Sequence, residues 1–121
     1  MANTFKVVTF AAEPASAGTA YKMYTCAGST TTVVLGLILT NIHSSAVTVE
    51  VELVSDTGSR GGANNVTNGT SFLVKDVNIP AGSSLEVLTG GKVVMETTDY
   101  LNIDCSVADK LSGTLSIMEI T

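Results

Sequence analysis

Any chemistry in this chain has to begin with very few side chains. His43 is the only histidine, Cys26 and Cys105 are the only thiols, and no tryptophan is present. An enzyme site needs a base, a nucleophile or a metal converging on one place. His43 stands before Ser44 and Ser45, just after an apolar run, which is the pattern of a solvent-facing turn residue. The two cysteines flank strand-like runs and read as small, reduced, buried hydrophobes. A disulfide between them is the other option, since spacing alone does not decide pairing. A structural zinc site takes four nitrogen or sulfur ligands, and two thiols and one imidazole fall short of that number.

The acids offer little more. Glu96, Asp99, Asp104 and Asp109 are neighbours in sequence, but the surrounding pattern points Asp104 outward from a strand and puts Asp99 in a corner. They need not converge, and no calcium-loop signature accompanies them. "TGSRGG", Thr57 to Gly62, lacks the Lys-Ser/Thr ending and following helix of a phosphate loop. Arg60, at its centre, reads instead as an interface cation able to fork onto a neighbour's carboxylate or carbonyl. The residues therefore predict no enzyme, no cofactor and no metal.

The elements that would position these groups are strands. Period-two alternation dominates: in "AVTVEVELV" Val47, Val49, Val51 and Leu53 face one way and Thr48, Glu50 and Glu52 the other. "YLNIDCSV" repeats the device with Leu101, Ile103, Cys105 and Val107 inward. "TAYKMYT" does so loosely, with Tyr21 and Met23 set against Lys22 and Tyr24. Two runs are apolar on both faces. "TVVLGLIL" offers Val33, Leu35, Leu37 and Leu39 on one side, with Val34 and Ile38 on the other. "GTLSIMEIT" sets Leu115 and Ile117 against Met118 and Ile120. Such strands lie centrally with both faces covered, or at a subunit contact.

Turn residues divide the chain into eight or nine strands, at about 4–10, 19–25, 30–40, 46–54, 70–78, 83–88, 92–96, 99–107 and 112–120. Gly90-Gly91 is expected to fold the sixth and seventh into a hairpin, and Asp99 to close the next corner. The predicted fold is all-β, a single antiparallel, jelly-roll-like β-sandwich over residues 1–121. One segment breaks the rhythm: the Gly/Asn-rich stretch at 55–70 carries no apolar periodicity and reads as a long loop. Its sequons at Asn65 and Asn68 are expected to be fortuitous. Ser59, Arg60, Asn64 and Asn65 in this loop, with Met118 and Ile120 in the last strand, are the candidate interface residues.

Composition points the same way. Of the 121 residues 45% are hydrophobic and only 14% charged, against about 25% charged in an average soluble domain. Too little charge is available to cover the surface in the usual way, so Ser and Thr hydroxyls or neighbouring copies must do so. The formal charge is −5, and the six basic residues form no cluster. Nucleic acid is thereby excluded as a partner. No secretory signal is read at the N-terminus and no apolar run reaches membrane-spanning length, which predicts assembly in a cytoplasm and no membrane partner. A glycan-binding module is a remote alternative, for which Tyr21, Tyr24 and Tyr100 are a sparse set of aromatic candidates.

"TAYKMYTCAGSTTTVVLGLILTN" (Thr19 to Asn41) and "FLVKDVNIPAGSSLEVLTGGKVVMETTDYLNIDCSVADKLSGTLSIMEI" (Phe72 to Ile120) resemble small virion structural proteins of tailed bacteriophages, notably those infecting marine bacteria and cyanobacteria. The shared layout is a Tyr-rich strand, a turn, an apolar strand ending in Thr-Asn, and then an "LVKDV–IPAG–LE–GK–LS–EI" order of short motifs. The resemblance runs from about Thr19 to the C-terminus. It departs at Cys26, where that group has a proline, and at Thr97-Thr98, where it has Ala-Gly. It implies a non-enzymatic virion component: a capsid decoration or cement protein that forms homo-oligomers, often trimers, and binds the major capsid protein or another virion protein. A neck, collar or tail component is the alternative.

Overall fold

The computed structural model describes residues 2–55 and 69–121. Among the described residues nine strands are present: β1 Asn3–Glu13, β2 Tyr21–Thr25, β3 Thr31–Asn41, β4 Val47–Val54, β5 Thr70–Ile79, β6 Ser84–Glu86, β7 Val93–Met95, β8 Tyr100–Cys105 and β9 Leu111–Ile120. Each falls where the alternation and the turn residues put it. The described residues contain no helix, so no helix is long and apolar enough to cross a membrane.

The strands make two antiparallel sheets, β1-β9-β3-β6 with β7 also on β3, and β2-β8-β4-β5. Pairing is nested: β1 takes β9, β2 takes β8, β3 takes β6 and β7, and β4 takes β5. A long hairpin wrapped on itself gives this order, which is the jelly-roll form of the sandwich. The expected β6–β7 hairpin is not formed. β6 pairs with Ile38–Thr40 and β7 with Thr32–Val34, both antiparallel, so they are two halves of one interrupted strand on the same edge of β3. Gly90, at φ 74°, serves the break between the halves instead of a reversal.

Side chains from both inner faces form one core. Val34, Leu37, Leu39, Met95, Leu111, Leu115 and Ile117 come from the first sheet, and Val47, Val49, Val51, Ile79, Leu101 and Ile103 from the second. The inward sets anticipated for β4, β8 and β9 are the observed ones. β3 differs. Its register against β9 shifts between Val34 and Gly36, making Leu35 the extra residue of a bulge. A bulge reverses parity along a strand. Val34 therefore joins Leu37 and Leu39 inside, and Val33 is turned to the outer face. A second bulge between Lys22 and Tyr24 buries Met23 and aims Tyr24 into the sandwich, where strict alternation had set it against Met23.

Candidate functional site

The sequence candidates for chemistry are dispersed and engaged in holding turns. The His43 backbone N–H donates to Asn41 Oδ1 at 2.7 Å in the β3–β4 turn. Asp99, 2% exposed, accepts from the Glu96 N–H at 3.0 Å and from Ser55 Oγ at 3.2 Å. Its own backbone pairs with Glu96 and Cys26, so it closes the corner as expected. Asp104 faces outward on β8 beside Glu50 of β4. Among the described residues no group of three or more His, Cys, Asp or Glu side chains could hold a metal ion.

Polar chemistry concentrates at one end of the sandwich, between the sheets. Tyr24 reaches across from β2; its hydroxyl donates to Glu119 Oε2 at 2.6 Å and lies 2.8 Å from Thr32 Oγ1. Lys6 of β1 meets the other Glu119 oxygen at 2.6 Å. Behind Thr32, the Cys26 thiol is 3.3 Å from Thr32 Oγ1 and donates to the Thr30 carbonyl at 3.2 Å. Burial and the bond to Glu119 push the Tyr24 hydroxyl up to about 12. Lys6 first, then Tyr24, hold the Glu119 carboxyl below its usual range against the opposing effect of burial. A phenol made harder to ionise is a poor base or nucleophile, and a thiol 1% exposed meets no substrate. The arrangement is a clasp between sheets.

A depression of about 160 Å³ opens over the second sheet, lined by Gly18, Thr48, Glu50, Asp76, Asp104, Cys105 and Ser106. Its carboxylates are partly spoken for: Glu50 pairs with Lys75 Nζ at 3.0 Å and Asp104 Oδ1 accepts the Cys105 N–H at 2.8 Å. The Cys105 thiol is 3% exposed, and both cysteines are free.

The outer faces of the two sheets are unlike. That of β2-β8-β4-β5 carries Lys22, Thr48, Glu50, Glu52, Asn102 and Asp104, with Lys22 over the Tyr100 ring at 4.1 Å and Lys75 over Phe72 at 4.6 Å. That of the first sheet is largely apolar, with Glu86 on the edge strand β6 the one ionisable residue among its described rows. One row runs edge to edge as Phe5, Met118, Val33 and Val94 on β1, β9, β3 and β7. Rows on either side are Asn3, Ile120 and Thr31, then Val7 with Ser116, then Thr9, Thr114, Ile38 and Glu86. Phe5 is 72% exposed, Val7 63% and Val94 59%.

Met118 and Ile120 thus stand in this field, opposite in sense to the fully buried Leu115 and Ile117. Ser59, Arg60, Asn64 and Asn65 lie outside the described residues. Sequence reading missed Phe5, Val7 and Val94. The "FKVVTF" alternation of β1 signalled the first two, whereas Val33 was hidden by the bulge.

No family model and no curated protein matches the chain. Among solved structures it is similar to one reported under the description "Bacillus endospore appendages form a novel family of disulfide-linked pili". The TM-score is 0.50 at 16% identity, over 99% of this chain and 87% of that one. At that identity the likeness is one of fold.

Proposed function

We propose that this chain is a non-catalytic structural subunit of an assembled particle, and specifically a decoration protein of a tailed-bacteriophage capsid. The observation that supports this most is the contrast between the two outer faces. The second sheet is dressed for water, while the first leaves Phe5, Val7 and Val94 uncovered in a field whose only ionisable member among the described residues is Glu86. Contiguous exposed apolar surface on a small domain marks an interaction site. The resemblance of Thr19–Asn41 and Phe72–Ile120 to phage virion proteins supplies the particle. The titratable groups support the non-catalytic part, since Tyr24, Glu119, Lys6 and Asp99 are committed to clasps and corners.

Quantifying the chain in purified particles tests the reading. A copy number comparable to that of the major shell protein is expected. A ring's worth of copies, recovered with tail-side fragments, would move the chain to the neck or tail. Absence from particles would end the reading.

The appendage-like fold favours a filament subunit as the second reading. A link through disulfides, as the description of that structure states for its own subunits, requires accessible thiols. Cys26 and Cys105 are 1% and 3% exposed, so a filament of this chain would form by non-covalent contacts and survive reductant. Reductant-sensitive filaments would overturn that form of the second reading.

A further inference from the structure

We infer that the outer face of the β1-β9-β3-β7 sheet is a two-fold self-interface, covered by the same face of a second copy. The inference deepens the structural-subunit reading and rests on it. Three features select a second copy over a different partner.

The first is charge. A chain with net charge −5 repels its own copies, and the outer face of the second sheet, with Glu50, Glu52 and Asp104, would bury acids if it stacked. The rows through Phe5, Val7 and Ile120 hold no ionisable group, and Glu86 sits on the edge strand. Two such faces meet without burying an unpaired charge, which would be costly. A partner recognised by charge has nothing here to read.

The second is area. Strands about 4.8 Å apart and about 3.4 Å per residue make this field roughly 20 Å by 25 Å, or roughly 500 Å² of sheet. Two copies then remove roughly 1,000 Å² in total, the size at which a specific interface becomes tenable. Facing sheets pack in this way inside sandwiches, with strand directions about 30° apart.

The third is shape. The central row reads Phe5, Met118, Val33, Val94, two bulky residues followed by two small ones. A two-fold axis along the strands, midway between β9 and β3, sets Phe5 of each copy against Val94 of the other and Met118 against Val33. Large then meets small along the whole row, the condition for interdigitated packing. An axis across the strands would instead stack Phe5 on Phe5.

The test uses the full chain. Sedimentation equilibrium of the wild type should show a dimer, or a larger even-numbered species, at micromolar concentration. Met118→Glu should weaken self-association at least tenfold, while Asn102→Glu, the same charge on the opposite face, leaves it unchanged. Circular dichroism and a thermal melt establish that each variant is folded. Should Met118→Glu fail to fold, Val94→Lys on the short exposed strand β7 takes its place with the same expectation. For the axis, a mixture of Phe5→Cys and Val94→Cys chains treated with a short bismaleimide should give a cross-linked heterodimer. Efficient cross-linking of Phe5→Cys alone would overturn the proposed axis. A wild type that is monomeric at high micromolar concentration, or charge variants that associate as the wild type does, would overturn the interface itself. A monomer that is nonetheless abundant in purified particles would end this inference and leave the structural role standing. A dimer absent from every particle would do the reverse.

Discussion

The Asn41 side chain holds three separate backbone groups, and replacing it gives a sharp test of how the fold is held. The side chain is fully buried at the end of β3. Its Nδ2 donates to the Ser45 and Ile79 carbonyls, both at 2.9 Å, and its Oδ1 accepts the His43 N–H at 2.7 Å. One amide thus ties the β3–β4 turn to the end of β5. Asn41→Leu keeps much of the volume and removes all three bonds. At about 1 kcal/mol net per bond, with about 1 kcal/mol more for the Ile79 carbonyl left dry, the loss is about 4 kcal/mol. That is a large part of the 5–15 kcal/mol that holds a typical domain. Urea unfolding followed by circular dichroism measures it, and an unchanged m-value shows that the transition still reports the same fold. Asn41→Asp sharpens the test, because it keeps Oδ1 and swaps the double donor for an oxygen facing two carbonyls. The folded state then holds that carboxyl protonated above its unfolded pKa, so the variant loses stability as pH rises between the two values. Loss below about 1 kcal/mol for Asn41→Leu, or a pH-independent Asn41→Asp, would refute the assignment of the amide as the structural tie.

Three further outcomes follow from the geometry. A Cβ on Gly113 would sit 2.5 Å from Phe10 Cζ, so Gly113→Ala should cost about 1–3 kcal/mol by displacing the ring. The penalty should shrink in the Phe10→Leu background, read by a double-mutant cycle in thermal unfolding. Thr98 is exposed with φ 76°, an unusual backbone for a β-branched residue. Thr98→Gly should therefore stabilise by about 0.5–1 kcal/mol in urea unfolding, and destabilisation would contradict the strain. Tyr24→Phe should cost about 1–2 kcal/mol by opening the clasp. In the wild type Glu119 has a depressed pKa, so its contribution is present above its unfolded value and lost as pH falls through the folded one. The Tyr24 pKa is raised from 10.0 to about 12, so stability also falls between those values as the unfolded phenol ionises first. Tyr24→Phe should reduce both the alkaline and the acid loss in part, as measured by melting temperature against pH. The Lys75 ammonium, its pKa raised by the bond to Glu50, keeps some of the alkaline dependence.

What the sequence disclosed and what it hid have a common cause. The nine strands of the described residues were legible because each buries one face, and a period of two records that burial directly. Errors arose where that period is interrupted. The bulge at Leu35 exchanged the roles of Val33 and Val34, and the one between Lys22 and Tyr24 turned Tyr24 inward; a single inserted residue leaves no mark on composition. The β6–β7 relation was misread because a double glycine permits a hairpin equally well as a break. Met118 and Ile120 were readable as an outward apolar pair from one strand. The field around them was not, because it joins β1, β3, β7 and β9, and cross-strand register is a tertiary property. The interface residues expected at 59–65 lie outside the described residues.

The distribution of polar groups supports the proposed non-catalytic role more than the scarcity of reactive ones does. Among the described residues every buried side-chain nitrogen and oxygen has a hydrogen-bond partner. A catalytic site commonly holds some group in readiness, under-satisfied or perturbed toward the operating pH. Here the resolved perturbations run the other way: burial and Glu119 stabilise the Tyr24 phenol, and Lys6 and Tyr24 stabilise the Glu119 carboxylate. Each group is fixed more firmly in the state it already prefers at neutral pH. That arrangement locks the two sheets together from within and leaves one largely apolar face without a cover. A contact through the one uncovered side of a rigid slab forms with little reorganisation and so keeps most of its burial energy.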